Sequence, residues 1–254
     1  MKIAIGNIKM NIISKVERDN YFSGIRNGLA DNKFKDVQII ICPPAIHLET
    51  FGSQLSPLGV SLGAQNIYTE ERGRFTGEIS APMVKNFAGD YVIIGHSERR
   101  TFFNETNELI SRKIKIALKN GLKPILCVGE SMQTRLDGEI KKVLLEQLVD
   151  GLRHATKNKL GEMIIAYEPI WSIGSGKTPT GDEVMEARIL IQKILIDNFG
   201  LSLNKLPKII YGGSVDYKNI KEVCLDSGMD GALVGGESLH PVDFIKIVQL
   251  LNNN

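Results

Sequence analysis

At 254 residues the chain can hold one large domain or two small ones, and 43% hydrophobic with 24% charged residues is an ordinary globular composition. A net charge of +2, with basic residues scattered and no run longer than pairs such as Arg99-Arg100 and Lys141-Lys142, gives no pull toward nucleic acid. No apolar stretch approaches the roughly 20 residues of a membrane helix, and Gly6-Asn7 and Lys9 break the N-terminal apolar run, so neither membrane span nor signal peptide is expected.

Short β-branched runs recur along the chain, each followed by a turn and then by helical periodicity. They are Lys2–Asn7, Val37–Cys42, Val60–Gln65, Tyr91–Gly95, Lys123–Val128, Met163–Glu168, Lys208–Gly212 and Asp230–Gly235. Val37-Gln38-Ile39-Ile40-Ile41-Cys42 is apolar nearly throughout, as a strand covered on both faces must be. Between the runs lie helix-period stretches, among them Glu105–Lys119, Gly138–His154, Gly181–Asn198 and Pro241–Leu251. Strands alternating with helices imply right-handed crossovers and a parallel sheet. Eight such units in about 250 residues predict a closed (β/α)8 barrel, and no composition shift divides residues 1–254 into more than one domain. Cys42, Cys127 and Cys224 lack metal-type spacing and read as free thiols in a reducing, cytoplasmic setting.

Nucleotide fingerprints fail on named residues. Gly174-Ser175-Gly176 needs a further glycine where Pro179 stands, and the P-loop-like tail Gly176-Lys177-Thr178 has Trp171 at the required first glycine. No acidic cluster points to a metal and no cofactor is implied, so the expected chemistry runs on side chains.

In such a barrel the C-terminal strand ends form the active face. Asn7 and Lys9 follow the first strand, His96 the fourth and Glu168 the sixth, while Tyr211-Gly212-Gly213-Ser214 and Val234-Gly235-Gly236 follow the last two. Each has a bland reading. His96 alone is a loop or cap residue, Lys9 a surface lysine, Glu168 a solvated acid, and the glycine pairs are turns. Their coincidence at one rim argues for a site. Gly-rich turns that open a helix offer backbone N–H groups to an anion, and the expected ligand is a phosphate monoester. One carboxylate, one histidine and one lysine suit proton abstraction beside a carbonyl, with Glu168 as base and His96 and Lys9 steadying the enediolate and the phosphate. Residues 169–179, stiff at Pro169 and Trp171 and at Lys177-Thr178-Pro179 but flexible at Gly174-Ser175-Gly176, read as a lid that excludes water.

These residues resemble the triosephosphate isomerase family from Met1 to about Leu250. The resemblance is carried by Gly6-Asn7-Ile8-Lys9-Met10-Asn11, Gly63-Ala64-Gln65-Asn66, Phe75-Thr76-Gly77-Glu78, Gly95-His96-Ser97-Glu98-Arg99-Arg100, Cys127-Val128-Gly129-Glu130, Tyr167-Glu168-Pro169-Ile170-Trp171, Tyr211-Gly212-Gly213-Ser214-Val215 and Val234-Gly235-Gly236. It implies a single-domain TIM barrel that interconverts dihydroxyacetone phosphate and D-glyceraldehyde 3-phosphate, without metal or cofactor, in glycolysis and gluconeogenesis. It further implies Glu168 as base, His96 as neutral electrophile, and Lys9 and Asn7 as substrate ligands. Gly174, Ser214, Gly235 and Gly236 are implied as phosphate donors, with Glu98 and Cys127 in support. The family is dimeric; Asn66–Ser80 resembles its long third loop, with Thr76 reaching the neighbouring subunit and Glu78 pairing with Arg99 across the interface. Four positions depart from the family pattern. Ile8 stands where Trp or Phe is common, Ser172 and Glu237 where Ala is common, and Arg74 in place of a small residue. Ile8 is expected to point away from the site, Ser172 to affect lid closure, and Arg74 to adjust dimer strength. Glu237 either weakens phosphate binding or serves harmlessly at a helix start. The nearest alternatives are an isomerase of four-carbon ketose phosphates and an idle phosphate-binding barrel.

Overall fold

The computed structural model describes residues 1–30, 34–173 and 177–253. Those residues hold eight strands: β1 Lys2–Asn7, β2 Val37–Cys42, β3 Ser61–Ala64, β4 Gly89–Ile94, β5 Lys123–Val128, β6 Ile164–Tyr167, β7 Lys208–Tyr211 and β8 Gly231–Val234. Each pairs in parallel with its neighbour in sequence, and β8 pairs back onto β1 to close the barrel. The helices are α1 Lys15–Ala30, α2 Leu48–Leu55, α3 Ala81–Asn86, α4 Ser97–Phe102 and α5 Asn107–Lys119. They continue with α6 Met132–Leu136, α7 Ile140–Gly151, α8 Lys157–Leu160, α9 Gly181–Phe199 and α10 Pro241–Asn252.

The continuous apolar runs serve two cores at once, because successive side chains leave a strand on opposite faces. Ile3, Ile5, Ile40, Cys42, Ile93, Ile125, Cys127, Ile164, Ala166, Ile210 and Leu233 fill the barrel interior. The alternate residues, such as Ala4, Ile39, Ile41, Val92, Leu126, Ile165 and Ile209, pack outward beneath the helices. β1, β2 and β5 keep the bounds the sequence predicts, whereas β3, β6, β7 and β8 are shorter at both or one of their ends. The closing seam requires Gly231: its φ is 156°, and a Cβ there would lie 1.9 Å from the carbonyl oxygen of Ile3.

The inward parity positions the chemistry. Asn7 follows Ile3 and Ile5 in step, and Glu168 follows Ile164 and Ala166, so both aim toward the barrel axis at the strand mouths. His96 is out of step with Tyr91 and Ile93. Gly95, at φ 74°, supplies the bend between β4 and His96.

Candidate active site

The loop after β1 is built around a strained lysine. Lys9 has φ 54°, and its backbone N–H donates to Asn7 Oδ1 at 3.1 Å, tying the conformation to the strand end. Gln65 holds the same loop from β3, its side-chain amide donating to the carbonyl oxygens of Lys9 (2.8 Å) and Cys42 (3.0 Å). Ile8 is fully buried in the outer core, away from the site as expected. The Lys9 ammonium donates to Glu98 Oε1 at 2.6 Å, which gives Glu98 a definite partner.

His96 stands at the N-cap of α4, where its Nδ1 accepts the backbone N–H of Glu98 at 3.2 Å. The bland reading of His96 as a cap is therefore also true. That bond commits Nδ1 as acceptor, so a neutral ring carries its proton on Nε2. Nε2 faces Glu168 Oε1 at 3.3 Å. Glu168 is 2% exposed, and its other oxygen accepts the Ser97 backbone N–H at 2.9 Å. Among the described residues Oε1 has no hydrogen-bond partner. Gly129 allows this approach, because a Cβ there would lie 1.7 Å from the Glu168 carbonyl oxygen. Cys127 lies fully buried behind the carboxylate, and burial, then the charge of Glu168, pushes its thiol well above the usual range.

On the opposite side the turns after β7 and β8 come together. Ser214 Oγ donates to the Ser172 carbonyl at 2.7 Å, and Asn219 braces the Ser214 carbonyl at 3.1 Å. Ser238 Oγ lies against the carbonyls of Asn7 (3.1 Å) and Gly235 (2.6 Å), stitching the ends of β1 and β8 together. A cavity of about 600 Å³ lies between these groups, lined by Asn7, Lys9, His96, Glu98, Ser214, Gly235, Gly236 and Glu237 among others. Glu168 sits behind that wall, turned toward Ser97, and is not itself part of the lining. Gly174 lies outside the described residues.

Sequence reasoning placed no role on Glu130, yet the structure does. It is wholly buried, and its Oε1 receives Tyr167 Oη and Trp171 Nε1, each at 3.0 Å, and Arg135 Nη1 at 3.4 Å. Its signals were its place in the motif Cys127-Val128-Gly129-Glu130 and its position two residues beyond an apolar strand, neither of which assigns it a role. Gln65 and Ser238 were equally silent, because their partners lie on other strands.

Arg74, Thr76 and Glu78, expected at a dimer contact, are all exposed on a loop pinned by the Tyr68 N–H donating to the Ile79 carbonyl (2.8 Å) and by the Glu78 N–H donating to the Phe75 carbonyl (3.1 Å). Arg99 is already engaged within the subunit. Its Nε donates to Glu105 Oε1 at 2.5 Å, and the same oxygen receives the Lys113 ammonium. This also corrects a helix boundary: the predicted start at Glu105 moves to Asn107, with Thr106 as N-cap, because Glu105 turns inward to these two cations.

The described residues contain no helix long and apolar enough to cross a membrane. Compared with known proteins, residues 2–251 match the family model for triosephosphate isomerase. The chain is 39% identical over 247 residues to the triosephosphate isomerase of Alkaliphilus oremlandii, covering 97% of this chain and 98% of that one. It is 42% identical over 244 residues to that of Carboxydothermus hydrogenoformans, covering 96% of each. With Dictyoglomus thermophilum triosephosphate isomerase it shares 43% identity over 216 residues, 85% of this chain and 87% of the other. A barrel of the right topology, a carboxylate and an imidazole meeting at its mouth, and a match from one end of the chain to the other agree: the chain belongs to the triosephosphate isomerase family.

Proposed function

We propose that the interconversion of dihydroxyacetone phosphate and D-glyceraldehyde 3-phosphate, the activity of this family, runs here by proton transfer through Glu168. One observation carries the reading. The Glu168 carboxylate is buried at the barrel mouth, and one of its oxygens, without a hydrogen-bond partner among the described residues, lies 3.3 Å from His96 Nε2. Glu168 removes a proton from the carbon beside the ketone; the C–H electron pair becomes the enediolate double bond, and the carbonyl pair moves onto oxygen. The His96 Nε2–H and the Lys9 ammonium stabilise that oxygen, and the histidine passes a proton between the two oxygens. Glu168 then returns its proton to the neighbouring carbon, which leaves the aldehyde. To reach substrate, the carboxylate must leave the Ser97 N–H that now holds it. The backbone of Ser214, Gly235 and Gly236 receives the phosphate, with Asn7 ordering the Lys9 loop.

The reading requires Glu168→Gln to lower kcat by roughly 10²–10⁴, the span of a positioned general base, with binding of a phosphate ligand nearly kept. An unchanged kcat in steady-state assays removes Glu168 from the mechanism. A tetrulose phosphate assayed beside the triose tests the four-carbon alternative.

Residues 1–254 act as one domain, and the working form is a homodimer. Support comes from exposed apolar side chains, namely Met10 (92%) and Ile13 (89%) after β1, Ile46 (86%) after β2 and Phe102 (73%) at the end of α4. Thr76, on its projecting loop, would brace Asn7, Lys9 and His96 of the neighbouring subunit. Sedimentation equilibrium should give twice the 28.1 kDa of one chain; a monomer at micromolar concentration refutes this part of the proposal. Three buried free thiols fit a cytoplasmic location.

A further inference from the structure

The phosphate end of the cavity carries more negative than positive charge. Of its lining residues, Lys9 supplies the ammonium, against the carboxylates of Glu98, Asp216 and Glu237. Lys9 lies over the phosphate glycine, since a Cβ on Gly235 would be 3.3 Å from its Cε and 3.6 Å from its Nζ. That ammonium is bound to Glu98 at 2.6 Å. Asp216 is occupied in its own turn, where Oδ1 accepts the backbone N–H groups of Lys218 (2.7 Å) and Asn219 (2.8 Å). Glu237 is different. It is half-buried directly after Gly235-Gly236, and among the described residues no ion pair engages its carboxylate. Lys246 feels its charge, but the Lys246 ammonium is bonded to Asp243 at 2.9 Å and lies over the Tyr217 ring. Among the described residues no backbone N–H donates to the Glu237 carboxylate, so no capping bond holds it; the His240 N–H goes to the Glu237 carbonyl oxygen at 3.2 Å.

We infer that Glu237 sets how tightly this site holds a phosphate dianion, by placing a carboxylate that no ion pair engages among the described residues beside the backbone donors of the β8 turn. The inference rests on the phosphate position proposed above. A fixed negative charge there repels substrate phosphate and free inorganic phosphate alike, so both bind more loosely than at the same site with a neutral residue. The phosphate ester takes no part in the bond changes and keeps its charge through them, so the repulsion acts on ground state and transition state together and falls on KM.

The test compares the enzyme with Glu237→Gln, which keeps the shape, and Glu237→Ala. Inorganic phosphate binding is read by calorimetry, and KM for glyceraldehyde 3-phosphate by steady-state kinetics. Both variants should tighten phosphate binding and lower KM by the same factor, about three- to tenfold, the scale of one screened charge contact. The factor should shrink between 0.1 M and 1 M salt, as the Debye length falls from about 10 Å to about 3 Å. Equal phosphate affinity in Glu237→Gln and the parent, or a difference indifferent to salt, overturns the inference. If inorganic phosphate binds to neither protein, the phosphate position itself is wrong, a separate failure that the calorimetry identifies.

Discussion

Glu130 shows how much one residue can hold that has no direct part in the chemistry. One of its two oxygens gathers a phenol, an indole and a guanidinium, from β6, from the turn Ile170–Ser172 and from α6. Burial, then the charge of Glu130, holds the Tyr167 phenol protonated as a donor throughout the working range. Glu130→Ala leaves three donors without their acceptor at a site with no solvent exposure. The expected cost is about 3 kcal/mol, measured as a lowered denaturant midpoint at unchanged slope. A loss under about 0.5 kcal/mol would mean that the lid stem is braced by something else. Asn7, Lys9, His96 and Glu168 stood out in the sequence because their types are meaningful at strand ends. Glu130 did not, because an acid's role depends on which donors arrive from 37 to 41 residues away.

At the scale of elements, the segment expected to act as a lid leads into α9, and the start of that helix is made of local signals. Thr180 and Glu183 form a reciprocal capping box, with the Glu183 N–H donating to Thr180 Oγ1 and the Thr180 N–H to Glu183 Oε2. Arg135, whose guanidinium also reaches Glu130, donates to Glu183 Oε1 at 2.6 Å. Burial works to raise the Glu183 carboxyl, but the bonds from Thr180 and Arg135 prevail and hold it below its ordinary value of 4.5. A carboxyl depressed by folding adds stability that is whole above the unfolded-state value and vanishes as pH falls through the folded-state one. Glu183→Gln should therefore lower Tm at pH 7, and the difference from the parent should close as the buffer is taken below about pH 4.5. A gap that persists in acid would assign the effect to packing. The boundaries of α9 were legible from Thr180 at one end and Gly200 at φ 61° at the other. The start of α5 was not, because Glu105 is drawn out of the helix by Arg99 and Lys113, the latter six residues into it.

For the whole molecule, the test is whether the barrel stays shut. Cys42 and Cys127 point into its interior, and Cys224 is buried against the carbonyl of Gly231. Burial raises all three thiols, that of Cys224 to about 12. Thiolate is the reactive form, so a disulfide reagent at pH 8 should find no rapidly reacting thiol in the native protein and three after denaturation. Fast labelling of Cys127 in the native state would show that the strand mouths behind Glu168 open to solvent. The sequence by itself determined the eight-fold alternation of strand and helix, and with it the barrel. It also determined which strand ends carry polar residues, since period and parity are local properties of a chain. Only the tertiary structure decided that Lys9 pairs with Glu98, that Glu168 rests on Ser97, and that no ion pair engages Glu237 among the described residues. Such pairings depend on distances between elements far apart in sequence, which closure of the barrel alone sets.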